Sequence, residues 1–249
     1  EVDDLWLIPT AEVSLLDMDD AAAEIRRVAE LGMRGVFLPS KPPPKVDLYN
    51  RDSWEPVWQS AEETRMVICF HIGTDVIDPS VQDSLVMYRG PGGAVLNYLE
   101  TTYGGQRSVA QMVTSGALDS HPDLRVLVSE GGASWVPFLG DRMNEGYRQH
   151  GAVVRPKLSA LPKEILYRQV YTSFQHDPSA INSLVADGYQ NVMWGSDYPH
   201  LEGTFGHTQE TLHELFDGQP DWVTERITRG AFEELFPGVP PIPDELLAA

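Results

Sequence analysis

The chain reads as an α/β protein, a TIM-like (β/α)8 barrel lacking its first one or two strands. Three observations lead there. Short apolar runs alternate with amphipathic helical segments along nearly the whole length, the rhythm of a parallel sheet with helices outside it. Polar and ionisable residues gather just after run after run, as they do at the C-terminal mouth of a barrel. No Gly-x-Gly-x-x-Gly follows the first run, which argues against an open dinucleotide-binding sheet. Six runs are visible where a closed barrel needs eight, so about two strands are expected upstream of Glu1. The chain opens on Glu1 rather than Met, which fits an expectation of a single barrel domain over 1–249 that is incomplete at its N-terminus.

Taken in order, Trp6-Leu7-Ile8-Pro9 is the first strand candidate. Asp19 or Asp20 can cap a helix with Ile25, Val28 and Ala29 on one face and Gly32 as its stop. Gly35-Val36-Phe37-Leu38 is the second strand. A helix begins near Ser53, with Trp54, Val57, Trp58 and Ala61 as one stripe and Pro56 confined to the first turn. Met66 to Phe70 is the third strand, ending at His71-Ile72-Gly73. A helical insertion of about 75–122 follows, too long for a simple connection, with Gly90-Pro91-Gly92-Gly93 as a joint. Leu124 to Ser129 is the fourth strand, ending at Glu130-Gly131-Gly132, and Ser134 can cap a helix carrying Trp135, Phe138 and Leu139. Val170 to Phe174 is the fifth, with His176 and Asp177 beyond it. Val192-Met193-Trp194 is the sixth and runs into Gly195-Ser196-Asp197-Tyr198-Pro199-His200. Thr208 opens a helix with Leu212, Leu215 and Phe216 on its buried face, and a Pro-rich tail spans Pro237 to Pro243.

Bulk properties narrow the partners. A formal charge of −19 argues against nucleic acid or an anionic membrane, since both need basic patches. The single cysteine, Cys69, lies in an apolar run and can form no intrachain disulfide. No apolar run approaches membrane-spanning length, and no charged-then-apolar leader is visible. The expectation is a cytoplasmic protein acting on a small molecule.

Four strand ends carry the candidate chemistry: His71, Glu130, His176 and Asp197. Imidazole and carboxylate converging at one barrel mouth suit a divalent transition metal. Any one of these residues alone could be a hydrogen-bonded structural group. His71 and Asp197 on separate strands of one barrel make the metal reading the sharper one. Glu130 could equally cap the helix that begins near Ser134. Arg142 follows Trp135 by seven positions, on the face of Phe138 and Leu139, where a guanidinium needs a carboxylate. Glu145 one turn on, an acidic substrate or an adjacent subunit could supply it. His200 can orient Asp197 or a bound substrate. No nucleophile elbow, phosphate loop or paired-cysteine motif is present.

The segment Gly195 to His200 with Glu202-Gly203-Thr204, and Phe70-His71-Ile72-Gly73, resemble the amidohydrolase-2 family of metal-dependent barrels. The helix from Asp20 to Gly32 leading into Gly35-Val36 is similar too. That family includes aminocarboxymuconate-semialdehyde decarboxylase, related aromatic-acid decarboxylases and some C–C hydrolases. The resemblance implies that His71 is a metal ligand and that Asp197 is a ligand or proton-handling carboxylate beside the metal. The family's His-x-His pair on its first strand has no counterpart here and is expected before Glu1. Glu130 stands where the family often has an acid/base histidine. Arg142 falls one residue from an arginine that some members extend toward a neighbouring subunit, which implies a homodimer.

The expected function is therefore a metal-dependent hydrolase or decarboxylase acting on a small carboxylated or carbonyl-bearing substrate. Zinc is the expected ion, with manganese as the alternative. Asp197 and Glu130 are the catalytic candidates, His71 and Asp197 the metal ligands, and Arg142, His200 and His176 the substrate-binding candidates. The competing expectation is a metal-free barrel relative that serves as a binding or assembly subunit.

Overall fold

The computed structural model describes residues 7–74 and 88–240. Six strands form one wholly parallel sheet in sequence order: β1 (Thr10–Glu12), β2 (Gly35–Phe37), β3 (Val67–His71), β4 (Val126–Ser129), β5 (Val170–Phe174) and β6 (Val192–Trp194). Among the described residues β1 and β6 do not pair with each other, so the sheet is an arc of a barrel rather than a closed one. Helices cover its outer face. They are α1 (Met18–Glu30), α2 (Glu55–Thr64), α3 (Gly93–Thr101), α4 (Tyr103–Thr114), α5 (Ala117–Ser120), α6 (Trp135–Gln149), α7 (Pro162–Gln169), α8 (Pro178–Val185), α9 (Thr208–Phe216), α10 (Asp221–Glu225) and α11 (Ala231–Leu235). Of the expected insertion, α3, α4 and α5 are described, while residues 75–87 lie outside the described residues.

The strand period of two divides the core into an outer and an inner layer. Ile68, Phe70, Val126, Val128, Val170 and Val192 pack outward against the helices. Val67, Cys69, Tyr171 and Met193 face inward with Phe37 and Leu127. Register then decides what stands at the mouth. His71 is level with Ser129 and Ser173 with Met193, so the inner face turns from apolar to polar at the C-terminal ends of β3, β4 and β5. The site is the top of this inner layer.

Four local expectations are corrected. Strand 1 is Thr10–Glu12 rather than Trp6 to Pro9; Trp6 lies outside the described residues, and Pro9 contributes its carbonyl to Arg34 N–H at 3.1 Å just below the ladder. Asp17, not Asp19 or Asp20, caps α1, accepting from both of their N–H groups at 2.9 and 3.1 Å. Ser134 occupies the N-cap position of α6 but its side chain makes no cap hydrogen bond. The buried stripe of α6 is Val136, Pro137, Gly140 and Met143, and Phe138 is 68% exposed. Trp135 turns back instead, its Nε1–H donating to the carbonyls of Gly131 and Gly132 at 3.0 and 2.9 Å. That rotation puts Arg142 on the solvent face of α6, where it pairs with Glu145.

Candidate metal centre

His71 is the last residue of β3, and its backbone is clamped from two sides. Ser40 Oγ and Thr74 Oγ1 both donate to the His71 carbonyl, at 2.8 and 2.7 Å. The ring is oriented as well. Nδ1 lies 2.9 Å from the carbonyl of Ile72, and a carbonyl only accepts, so Nδ1 carries a proton there. The other nitrogen, Nε2, is left facing the cavity, 3.0 Å from Glu130 Oε2. An imidazole tied to a backbone carbonyl through one nitrogen and free at the other is the arrangement of a metal ligand.

Glu130 and Asp197 each follow a strand end, and both hold left-handed backbone, φ 60° and 56°. For a residue with a side chain this is uncommon and costs about 1–3 kcal/mol, so it persists only where the surroundings impose it. Ser173 does so for Glu130. Its Oγ accepts from Glu130 N–H at 2.9 Å, and its carbonyl accepts from Gly132 N–H at 3.0 Å. At Asp197 the following loop folds back on the strand end. Thr204 N–H donates to Ser196 O at 2.9 Å and His200 N–H to Asp197 O at 2.8 Å. Gly203 is required in that loop, because a Cβ there would stand 2.7 Å from the Asp197 carbonyl oxygen.

These loops bring four donors together. One ligand atom each from Glu130, Asp197, His200 and Glu202 lies within 4.8 Å of all the others. His200 Nδ1 is 3.1 Å from Asp197 Oδ2 and 3.5 Å from Glu202 Oε1. Glu130 Oε2 and Asp197 Oδ2 are buried and near an imidazole nitrogen, yet neither receives an aligned hydrogen bond from the described residues. Buried acceptors in that condition are costly unless something positive occupies the space between them. Carboxylate oxygens plus imidazole nitrogens are a donor set suited to Mn²⁺ or Zn²⁺, so the residues fit a divalent ion.

His71, Glu130 and Asp197 line one cavity of about 260 Å³ with Ser129, Ser173, Phe174, Gln175 and Gly195. Burial pushes the Glu130 carboxyl above its ordinary range; positive charge on His71 pulls against this and the negative charge of Asp197 adds to it. A larger cavity of about 540 Å³ opens at the other end of the strands, beside Arg34, Met66, Val67 and Arg125. No cluster of metal-ligating donors lies there among the described residues, so volume is a poor guide to the chemistry of this molecule.

The structure thus unites His71, Glu130 and Asp197, adds His200 from the β6 loop, and resolves Glu130 as a cavity carboxylate rather than a helix cap. His176 is exposed and does not line the cavity; its Nε2 is 3.1 Å from the carbonyl of Glu202 and holds that loop in place. Arg142 is not among the cavity residues either. In the sequence Glu202 stands out only as part of the family-like segment Glu202-Gly203-Thr204, and neither it nor Gln175 is assigned a site role there. Glu202 is an exposed acid in a loop, and only the turn through Gly203 carries it to the others. Gln175 gave no signal beyond its place after β5, yet its Nε2 is buried in the cavity wall with no hydrogen-bond partner among the described residues.

The chain is similar to known proteins. An amidohydrolase family model, Amidohydro_2, matches residues 7–237. The decarboxylase yanB of Aspergillus niger is 23% identical over 198 residues, which are 75% of this chain and 50% of that protein. The chain therefore spans about half the length of this curated relative. Among solved structures, 5-carboxyvanillate decarboxylase LigW from Sphingomonas paucimobilis gives a TM-score of 0.72 at 20% identity, covering 91% of this chain and 65% of its own. A dihydroxybenzoic acid decarboxylase from Polaromonas sp. JS666, with bound manganese and the inhibitor 2-nitroresorcinol, gives 0.65 at 18% identity, covering 88% and 66%. The fold is that of these TIM-barrel enzymes. With a family model over nearly its whole length and an imidazole–carboxylate cluster at the barrel mouth, this chain belongs to the amidohydrolase family, in its Amidohydro_2 branch.

Proposed function

We propose that the chain carries the metal-holding and proton-handling part of a metal-dependent carboxy-lyase for small hydroxylated aromatic carboxylates. The observation that carries this reading is the pair of buried, unbonded oxygens, Glu130 Oε2 and Asp197 Oδ2, on strained strand ends facing each other's donors. Asp197, His200 and Glu202 would hold the ion, with His71 as the imidazole from β3. The carboxylate-rich set favours manganese over the zinc expected from the sequence. When bound, the ion supplies fixed positive charge that holds a substrate carboxylate or phenolic oxygen in place.

The chain's own residues do the rest. Loss of carbon dioxide breaks the bond between the ring and its carboxylate and leaves the electron pair on the ring carbon, which must then take a proton. Glu130 is suited to deliver it, because burial and Asp197 favour its protonated form. His71 Nε2, 3.0 Å from Glu130 Oε2, would be taken up by the ion, so the proton on Glu130 is restored from solvent. The strand-end corner from Gly195 to Asp197 and the wall of Phe174 and Gln175 shape the space for the ring. Support for a substrate of this class comes from the names of the neighbours, carboxyvanillate and dihydroxybenzoate decarboxylases.

The test is carbon dioxide release from a panel of hydroxybenzoates and carboxyvanillate by manganese-loaded protein. Glu130→Gln is expected to keep the ion and lose about 10²–10⁴-fold in turnover, the usual size of an acid–base contribution. Asp197→Asn is expected to lose the ion. An Asp197→Asn variant with full metal content, or hydrolysis of carbonyl substrates without any carbon dioxide release, would sink the assignment.

A further inference from the structure

Three arginines meet at the end of the sheet opposite the metal centre. Arg34 directly precedes β2, Arg65 stands two residues before β3, and Arg125 directly precedes β4. The ladder sets two of them on either side of β3. Val67 N–H donates to the Arg34 carbonyl at 3.0 Å, and Ile68 N–H donates to the Arg125 carbonyl at 2.9 Å. Adjacent strands are about 5 Å apart, so these long side chains rise from backbones about 10 Å apart and can share one space. That space is the cavity of about 540 Å³ at the N-terminal ends of the strands, which all three arginines line.

Acids of the chain do not hold these cations. Arg34 Nη2 donates to the Pro237 carbonyl at 3.0 Å, and Arg125 Nη1 to the carbonyls of Pro122 and Leu124 at 2.9 and 3.1 Å. Arg65 makes no side-chain hydrogen bond, and none of the three forms an ion pair, among the described residues. Three acids also line the cavity, but two are committed elsewhere. Glu62 accepts from the His121 ring and from Asp123 N–H, both at 2.9 Å. Glu234 accepts from the Tyr171 hydroxyl at 3.0 Å and from Arg226 at 2.7 Å. Only the Asp123 carboxylate remains to offset three guanidiniums. In a chain with 37 acidic and 18 basic residues, this local excess of positive charge marks an anion site.

Size and shape narrow the anion. A guanidinium presents five N–H donors in a fork that matches phosphate oxygens, and most of these donors are unused by the chain. The volume lies within the range of small-molecule sites and exceeds what a bare inorganic ion fills. Met66, Val67 and Leu235 give the cavity an apolar side. We propose that this cavity is a second ligand site, which binds an organic phosphate. Arg34, Arg65 and Arg125 hold the phosphate oxygens, and Met66, Val67 and Leu235 face the carbon body.

Calorimetric titration of manganese-loaded protein with fructose 1,6-bisphosphate, inorganic phosphate and fructose as probes tests it. The bisphosphate should saturate a single site, inorganic phosphate should bind more weakly, and fructose should not bind. Arg65→Gln changes an exposed side chain and should weaken the bisphosphate by about tenfold, the usual loss for a hydrogen bond to a charged group. Arg51→Gln removes the same charge at the opposite end of α2, beyond the screening length, and should change the affinity by less than about twofold. Removing manganese with a chelator should leave the affinity unchanged. Binding that disappears with the manganese would put the phosphate on the ion and overturn the proposal. Wild-type affinity in Arg65→Gln, equal weakening in Arg51→Gln, or no saturable binding at all overturns it too. Inorganic phosphate that binds as tightly as the bisphosphate overturns the organic ligand, because a bare ion would then suffice.

Discussion

Glu130 and Asp197 hold positions that a folding criterion alone would give to other residues. Each combines left-handed backbone, a buried oxygen with no hydrogen-bond donor, and a like-charged neighbour. Strain and desolvation of this kind are maintained for function at the expense of stability. Glu130 is the clearer case, with a side chain only 5% exposed and a carboxyl pushed above its ordinary range by burial, opposed by His71 and reinforced by Asp197. Glutamine keeps the shape and removes the charge. In metal-free protein near neutral pH, Glu130→Gln should therefore be more stable than wild type, by about 1 kcal/mol. Because the folded value is raised, the advantage should shrink as pH falls toward the ordinary carboxylate range, where wild-type Glu130 is protonated in both states. Urea melts at several pH values measure it. A variant less stable than wild type at neutral pH would mean that the contact with His71 outweighs burial and repulsion.

At the level of elements, the strands were the legible part, and the reason is their burial. Val67 to Phe70 and Val192 to Trp194 are covered on both faces, so they read as continuous apolar runs, while Val170 to Phe174 is recognisable by its β-branched and aromatic residues. Strand β1 escaped because Thr10-Ala11-Glu12 is a half-exposed edge, while the more apolar residues before it stand outside the ladder. The face of α6 was misread by one position, since Trp135 bonds back to the glycine loop and the stripe begins at Val136. Within the site, His71, Glu130 and Asp197 were legible as strand-end groups. Glu202 reaches the mouth through a loop turn that leaves no periodic trace. The C-terminal elements show a similar non-local tie. Glu234 of α11 accepts from the Tyr171 hydroxyl at 3.0 Å and pairs with Arg226 at 2.7 Å, joining the last helix to β5 and to the chain after β6. Burial works against its charge, but Arg226 and Tyr171 outweigh it and hold the carboxyl below its ordinary value. A lowered folded value contributes stability above the unfolded pKa, and that contribution disappears as pH falls through the folded one. Glu234→Gln should therefore lose less melting temperature than wild type between pH 7 and about pH 3, a span that crosses the ordinary carboxylate value and continues below it. Equal acid sensitivity of the two proteins would show that the pair is fully screened by solvent.

For the whole molecule, the dominant electrostatic fact is a net charge of −19. Self-repulsion of that size destabilises the compact state. The ion pairs seen on the surface do little to offset it. Arg26–Glu63, Arg27–Glu24 and Arg229–Glu225 all join side chains at least 37% exposed, and solvent-exposed pairs of this kind contribute little. Raising the salt concentration weakens both effects, but not equally. The screening length falls from about 30 Å at 0.01 M to about 8 Å at 0.15 M, which removes most long-range repulsion while contacts near 3 Å keep much of their attraction. Sodium chloride should therefore stabilise this protein. A relief of about 1 kcal/mol corresponds to a rise of about 2–4 °C in melting temperature for a chain of this size. Calorimetric scans across that salt range, with manganese held constant so that site occupancy does not change, measure the effect. A melting temperature that falls with salt would mean that the short-range pairs, weak one by one, act together against the net charge, and the repulsion argument would fail.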